Sequence, residues 1–195
     1  MVRPTPSPTE PARRVGRYFL CADRFDRHRR GRHRLGGLDA HQGAPFGSRR
    51  KRGAFHHCIG RSRGGRTTKV HALTDEQGRP LALLLTPGNT HDLAGARDVL
   101  AITGAPRRLL ADRAYDARSL REWLADQGCE AVIPPQSNRK HPHAYDPVAY
   151  KQRNIIERSF CRLKDFRRIH TRFDKRADIY LSALLIVAAI IWWAN

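Results

Sequence analysis

Acidic side chains are scarce in this chain: 18 Asp and Glu stand against 37 Lys and Arg over 195 residues, a formal charge of +19. Such an excess creates a field that favours polyanions, and nucleic acid is the commonest one a basic chain meets. Cysteine is sparse as well. Cys21, Cys58, Cys129 and Cys161 are widely separated and form no CxxC pair, which argues against a disulfide framework and for a reduced, cytoplasmic protein. Several histidines lie in the first third (His28, His33, His41, His56, His57), but no ligand-pair spacing repeats, so a structural zinc site is not expected. The opening MVRPTPSPTEPARR has no apolar core of a secretory signal. A membrane-length apolar run is also missing. Residues 179–194 come nearest, broken by Tyr180 and Ser182, and fall short of the roughly 20 residues that cross a bilayer. They predict a buried terminal helix, with Trp192 and Trp193 closing one edge of the core.

The positive charge is uneven. Residues 1–70 hold 18 basic and 4 acidic residues, whereas 71–195 hold 19 and 14. Residues 1–53 carry runs such as RFDRHRRGRHR and SRRKR without sustained periodicity, the composition of a disordered basic arm that contacts phosphates without reading sequence. Residues 71–195 have the composition of a globular domain, which is expected to span 54–195.

From Gly60 onward, secondary structure is legible. TTKVHALT (67–74) alternates, EQGRP is a turn, and LALLLT (81–86) is a short apolar run, which together predict a hairpin. A helix over 93–102 follows, with Asp92 as its expected cap. RRLLAD predicts a strand ending at Asp112, and Asp116 is placed to cap a helix over 117–127 that stops at Gly128. Residues 130–133 read as another strand. Asp146-Pro147 then opens a helix with proline in its first turn. Hairpin, helix, strand, helix, strand and long helix make an α/β domain, a mixed sheet flanked by helices.

The long helix has two faces. At 100° per residue, Arg153, Glu157 and Lys164 fall within about 60° of Tyr150, while Ile155, Ile156, Leu163 and Phe166 gather on a separate arc. An Arg153–Glu157 pair at i,i+4 is by itself ordinary surface chemistry, about 0.2–0.5 kcal/mol. Asp112 gives it another meaning. It follows Leu109, Leu110 and Ala111, at the carboxyl end of an apolar strand, the edge where open α/β sheets bind ligands. As a lone residue it equally suits a cap on the following turn. Two carboxylates brought together from Asp112 and Glu157 suit a hard divalent cation, which at a phosphodiester activates the attacking oxygen and stabilises the leaving one. Arg153 and Lys164 would hold the DNA backbone beside them.

These residues resemble the bacterial insertion-sequence transposases with an Asp-Asp-Glu triad, in particular the group with a Y-x2-R-x3-E-x6-K signature. Here it stands as Tyr150, Arg153, Glu157 and Lys164. GRSRGGRTTK, LTPGNTHD and LLADRAYDA match further strings of that group in order, so the resemblance covers about residues 56–195. It implies a ribonuclease-H-like fold, Mg²⁺ or Mn²⁺ as cofactor, cleavage at transposon ends and strand transfer into target DNA, usually by a homo-oligomer. By position, Asp112 corresponds to the second triad acid and Glu157 to the third, both as metal ligands. Tyr150, Arg153 and Lys164 correspond to the DNA-contacting group, and His91 and Asp92 to a supporting loop.

The chain departs from the family at the first acid, which leads a D-S-T-x-x-x-A-H-Q pattern about seven residues before its histidine. The string DAHQ is present, but Arg34 stands seven residues before His41, and Asp39 only two. Asp39 is the remaining candidate for the first acid. The arginine-rich start and the missing end-binding helical region imply a truncated or frame-shifted copy. Two other outcomes stay open from sequence: a DNA-binding remnant without catalysis, and a metal-dependent nuclease without strand transfer.

Overall fold

Leu109, Leu110 and Ala111 are fully buried, and successive residues of an apolar run with both faces covered make a strand between two helical layers. In the computed structural model, which describes residues 16–26, 57–62 and 65–194, they form strand β5 (Arg108–Ala111). Strand β1 (Arg17–Asp26) runs parallel beside it, with Leu20 opposite Ala111. On the far side, β6 (Glu130–Val132) is also parallel to β5. Strand β3 (Gly65–Thr74) pairs antiparallel with β1, and β4 (Pro80–Pro87) pairs antiparallel with β3. The short β2 (Gly60–Ser62) joins the first residues of β3. The order β4-β3-β1-β5-β6, antiparallel on one side and parallel on the other, is the mixed sheet of a ribonuclease-H-like fold.

Residues 17–26 correct the expected arm. They form the central strand of the sheet although the segment is basic overall. The physical reason lies in Phe19 and Leu20, both buried and packed into different cores; each fully buried apolar side chain of this size contributes about 1.5–3 kcal/mol. Residues 1–15 and 27–53 of that arm lie outside the described residues.

The β3–β4 hairpin stands where the alternation placed it. Its turn is held by Asp75, whose carboxylate accepts from the Gln77 and Arg79 N–H groups at 3.0 and 2.9 Å. Gly78 takes the left-handed conformation, φ 78°, that the turn requires. Helix α1 (Asp92–Thr103) is capped by His91, not by Asp92: the His91 Nδ1 accepts from the Leu93 N–H at 3.2 Å. Asp92 is released from capping and pairs with the buried Lys69. Helix α2 (Arg118–Asp126) likewise lacks its expected cap. Ala117 stands at the cap position, and Asp116 turns inward to a set of buried partners.

Asp146 does cap the helical stretch that follows, accepting from the Val148 and Ala149 N–H groups at 2.8 and 3.0 Å. That stretch is α3 (Pro147–Tyr150), a 3-10 turn (Lys151–Arg153) and α4 (Asn154–Asp165). The expected single helix therefore contains one tightened turn. Ile156, Ser159, Phe160 and Leu163 are its buried face, while Phe166 is exposed beyond its end.

Helix α5 (Arg167–Thr171) and helix α6 (Ala177–Trp193) complete the layer. Only one side of α6 is buried, through Tyr180, Leu184, Val187, Ala188 and Ile191. Trp192, 40% exposed, is tied to the β3–β4 turn and does not enter the core: its indole N–H donates to the Pro80 carbonyl at 2.7 Å and the Arg79 guanidinium lies 4.2 Å over its ring. Trp193 is 89% exposed, because a further 100° of rotation carries it past the packed face, so the expectation that the two tryptophans close a core edge is corrected. Among the described residues, no helix is long and apolar enough to cross a membrane. α4 and α6 cover one face of the sheet over a core containing Phe19, Leu110, Ile156 and Leu184. α1 and α2 cover the other over Leu20, Leu109, Val99 and Leu124.

Candidate active site

The carboxyl end of β5 lies beside the middle of β1 at the sheet's centre, and the residue after β5 is Asp112. Its carboxylate accepts from the Ala114 N–H at 2.8 Å and so caps the 3-10 turn Arg113–Tyr115. That is the bland role the sequence allowed, and it leaves the rest of the carboxylate's acceptor capacity available. The turn buries Tyr115 completely. Burial, with the nearby charges of Cys21, Asp92 and Asp112, pushes its phenol well above the ordinary range.

The parallel ladder pairs Leu20 with Ala111, so one residue further on Cys21 stands beside Asp112. From the helical layer, Arg153 reaches down to the same place. Its Nη1 approaches the Cys21 Sγ at 3.9 Å, and its Nη2 donates to the Glu157 carboxylate one turn along α4. Burial works against the Arg153 charge, but Tyr150, Cys21, Glu157 and Asp112 outweigh it, so the guanidinium holds its proton more tightly than usual. Arg153 thus bonds Glu157 directly and feels the charge of Asp112.

Tyr150 backs this arrangement. The Arg153 guanidinium lies 5.8 Å from its ring centroid, and Tyr145 packs edge-on against it at 5.8 Å. Lys164 sits in the last turn of α4, two turns beyond Glu157. The tightened turn at Lys151–Arg153 does not scatter these residues, since Tyr150, Lys151, Arg153 and Asn154 all keep right-handed helical dihedrals.

His91 and Asp92 hold a loop. Lys69 donates to the Thr90 carbonyl at 2.5 Å and pairs with Asp92 at 2.5 Å, fastening the start of α1 to the middle of β3. Asp39, the remaining candidate for a first acid, lies outside the described residues. Among the described residues, no group of three or more His, Cys, Asp or Glu side chains is arranged to hold a metal ion.

The profile of the family described as Transposase DDE domain matches residues 16–192. The chain belongs to the transposase DDE domain family. Two relatives sharpen this. A Brucella ovis protein named as the transposase of insertion sequence element IS6501 is 35% identical over 127 residues, 65% of this chain and 98% of its own length. A Burkholderia cepacia protein named as the transposase of IS402 is 35% identical over 137 residues, again 65% of this chain but 63% of that one. Among solved structures, a simian T-cell lymphotropic virus intasome aligns with TM-score 0.43 and 13% identity over 67% of this chain and 44% of that one. The Mos1 mariner paired-end complex with Mn aligns with TM-score 0.36 and 16% identity over 89% and 52%.

The match to the DDE transposase family begins at residue 16, so it takes in β1 as the sheet does. Cys21, Tyr115 and Lys69 are the residues around this site that sequence reasoning missed. Cys21 is visible in the sequence only as one of four scattered cysteines, and it gains meaning from strand register. Tyr115 lies inside the ADRAYDA string, and Lys69 inside RTTKVHAL, where alternation reveals the strand but not an ion pair across to α1.

Proposed function

We propose that this transposase domain cleaves DNA at transposon ends and transfers the freed strand into target DNA, with Asp112 and Glu157 as its catalytic acids. The observation that supports it best is the placement of Asp112 at the end of a central parallel strand and Glu157 on the helix packed above, with Arg153 bonded to Glu157 and held by the charge of Asp112 as well. The donor chemistry fits a divalent cation, Mg²⁺ or Mn²⁺: both acids offer carboxylate oxygens, Glu157 is 56% exposed, and Asp112 spends one oxygen on a backbone N–H. When bound, such a cation activates the attacking oxygen and stabilises the leaving oxygen of a phosphodiester. The chain's own residues do the positioning. Arg153 offers a planar fork that matches a phosphate, Lys164 adds a point charge further along α4, and Tyr150 orients Arg153. His91, Asp92 and Lys69 keep the neighbouring loop in place.

DNA is the proposed partner, drawn by the net charge of +19, with the protein associated with the nucleoid and acting as a homo-oligomer that pairs two ends. Nicking and strand joining on supercoiled plasmid with Mn²⁺ tests the assignment. Both activities fall to background in Glu157→Gln while DNA binding persists.

One observation favours a second reading, a DNA-binding remnant that competes with full-length enzyme: among the described residues the two acids have no third companion. In that case binding is salt-sensitive, survives Asp112→Asn and Glu157→Gln, and no nicked product forms.

A further inference from the structure

Arg153 bonds one of the two acids that the proposed mechanism assigns to a cation. A phosphate-binding arginine in DNA-free protein would extend into water, where its guanidinium is well hydrated. This one does not. Its side chain is only 19% exposed, against 56% for Glu157. It bends over the β1/β5 edge, bonds Glu157, touches the Cys21 sulfur and has its charge supported by Asp112. Its surroundings are therefore one carboxylate in direct contact, a sulfur, and the charge of a second carboxylate nearby.

We infer that Arg153 is a resident counter-ion that neutralises the acid pair in the DNA-free protein and keeps divalent cations out until a phosphate draws it away. This rests on the reading of Asp112 and Glu157 as a cation-binding pair. Arginine stays protonated at any accessible pH, so the exclusion is relieved by displacement and not by titration. Phosphate is suited to that displacement, because the guanidinium fork matches its oxygens as well as it matches a carboxylate. The consequence is an order of assembly, with DNA first and the cation second. It also requires that the two binding events be coupled with the same factor in both directions. The device limits metal-loaded enzyme to complexes that already hold DNA.

The test is Mn²⁺ binding to the full chain, read from the resonance signal of free Mn²⁺, with and without a short duplex and with the duplex alone subtracted. Arg153→Gln is expected to tighten DNA-free Mn²⁺ binding by about tenfold or more, within the usual range of such couplings. Arg153→Lys, which keeps the charge, stays near wild type. The duplex strengthens Mn²⁺ binding to wild type and not to Arg153→Gln. If Arg153→Gln binds Mn²⁺ no better than wild type while Glu157→Gln abolishes the site, the acid pair stands and the counter-ion role is wrong. If Glu157→Gln leaves the Mn²⁺ isotherm unchanged in both backgrounds, the acid-pair reading falls and the inference falls with it. Far-ultraviolet circular dichroism melts establish that each variant is folded.

Discussion

Asp116 is the most heavily engaged buried charge beside the site, and replacing it should cost more than any surface substitution. Its side chain is fully buried. It accepts from the Arg121 Nε at 2.7 Å, the Arg139 Nε at 2.5 Å and the Gln136 N–H at 2.9 Å. Arg121 also donates to the Ile133 carbonyl, and Arg139 to the Asp116 carbonyl, both within 2.8 Å. The carboxylate thus pins the loop after β6 against the first turn of α2. Asp116→Ala leaves two guanidinium groups facing a void, and breaking a buried pair in this way costs about 3–5 kcal/mol. Asp116→Asn keeps one acceptor and the shape, so about half that loss is expected, near the upper range for an unmatched hydrogen-bonding group. Burial alone would raise the Asp116 carboxyl, but the Gln136 N–H, Arg121 and Arg139 outweigh it and hold it below the usual range. With its folded value depressed, its contribution is complete above the unfolded value of about 3.9 and is lost as pH falls through the lower folded value. Urea unfolding followed by circular dichroism at neutral pH measures the loss. A cost below about 1 kcal/mol for Asp116→Ala, the size of a surface effect, would refute the reasoning.

Two further perturbations probe the support beneath the site. His71 is buried and bonded through Nε2 to the Thr86 hydroxyl at 2.7 Å; burial lowers it to about 4, with Lys69 assisting and Asp92 and Asp98 opposing. Its depressed value means that stability is full above the unfolded value of about 6.5 and declines as pH falls toward 4, by ~2 kcal/mol at pH 5; a flat stability profile between pH 7 and 5 contradicts this. Gly95 lies so close to the same ring that an added Cβ would stand 2.3 Å from the His71 Cε1. Gly95→Ala should therefore destabilise by about 1–3 kcal/mol through overpacking, despite its better helix propensity, and a rise in melting temperature would show that α1 shifts freely.

Local chemistry made the hairpin, the Asp112 strand and the Asp146 cap readable, because alternation, apolar runs and Asp-Pro each act over a few residues. The two caps misread, Asp92 and Asp116, fail for a shared reason. Each acid sits next to a helix start, but each has a cation from a distant element, Lys69 or Arg139, that holds it more strongly than backbone N–H groups do. Strand β1 was hidden by its composition. Only the register with β3 and β5 shows that Phe19 and Leu20 serve two cores. Similarly, Arg172 reads as one more arginine in a basic chain. In the fold it is buried in a left-handed conformation, φ 41°, and donates to the His57 and Cys58 carbonyls. Of the candidate site, the Tyr150–Lys164 signature was legible because its members lie on one helix. The approach of Arg153 to Cys21 was not, since it spans 132 residues of chain.

The most direct measurement of the central claim is the plasmid assay carried out on wild type, Asp112→Asn and Glu157→Gln together, with DNA binding followed in the same samples. The account predicts Mn²⁺-dependent nicked and joined products from wild type, background levels from both variants, and unchanged DNA retention by all three. Products that persist in either variant, or a wild-type chain that binds DNA and forms none, would contradict it.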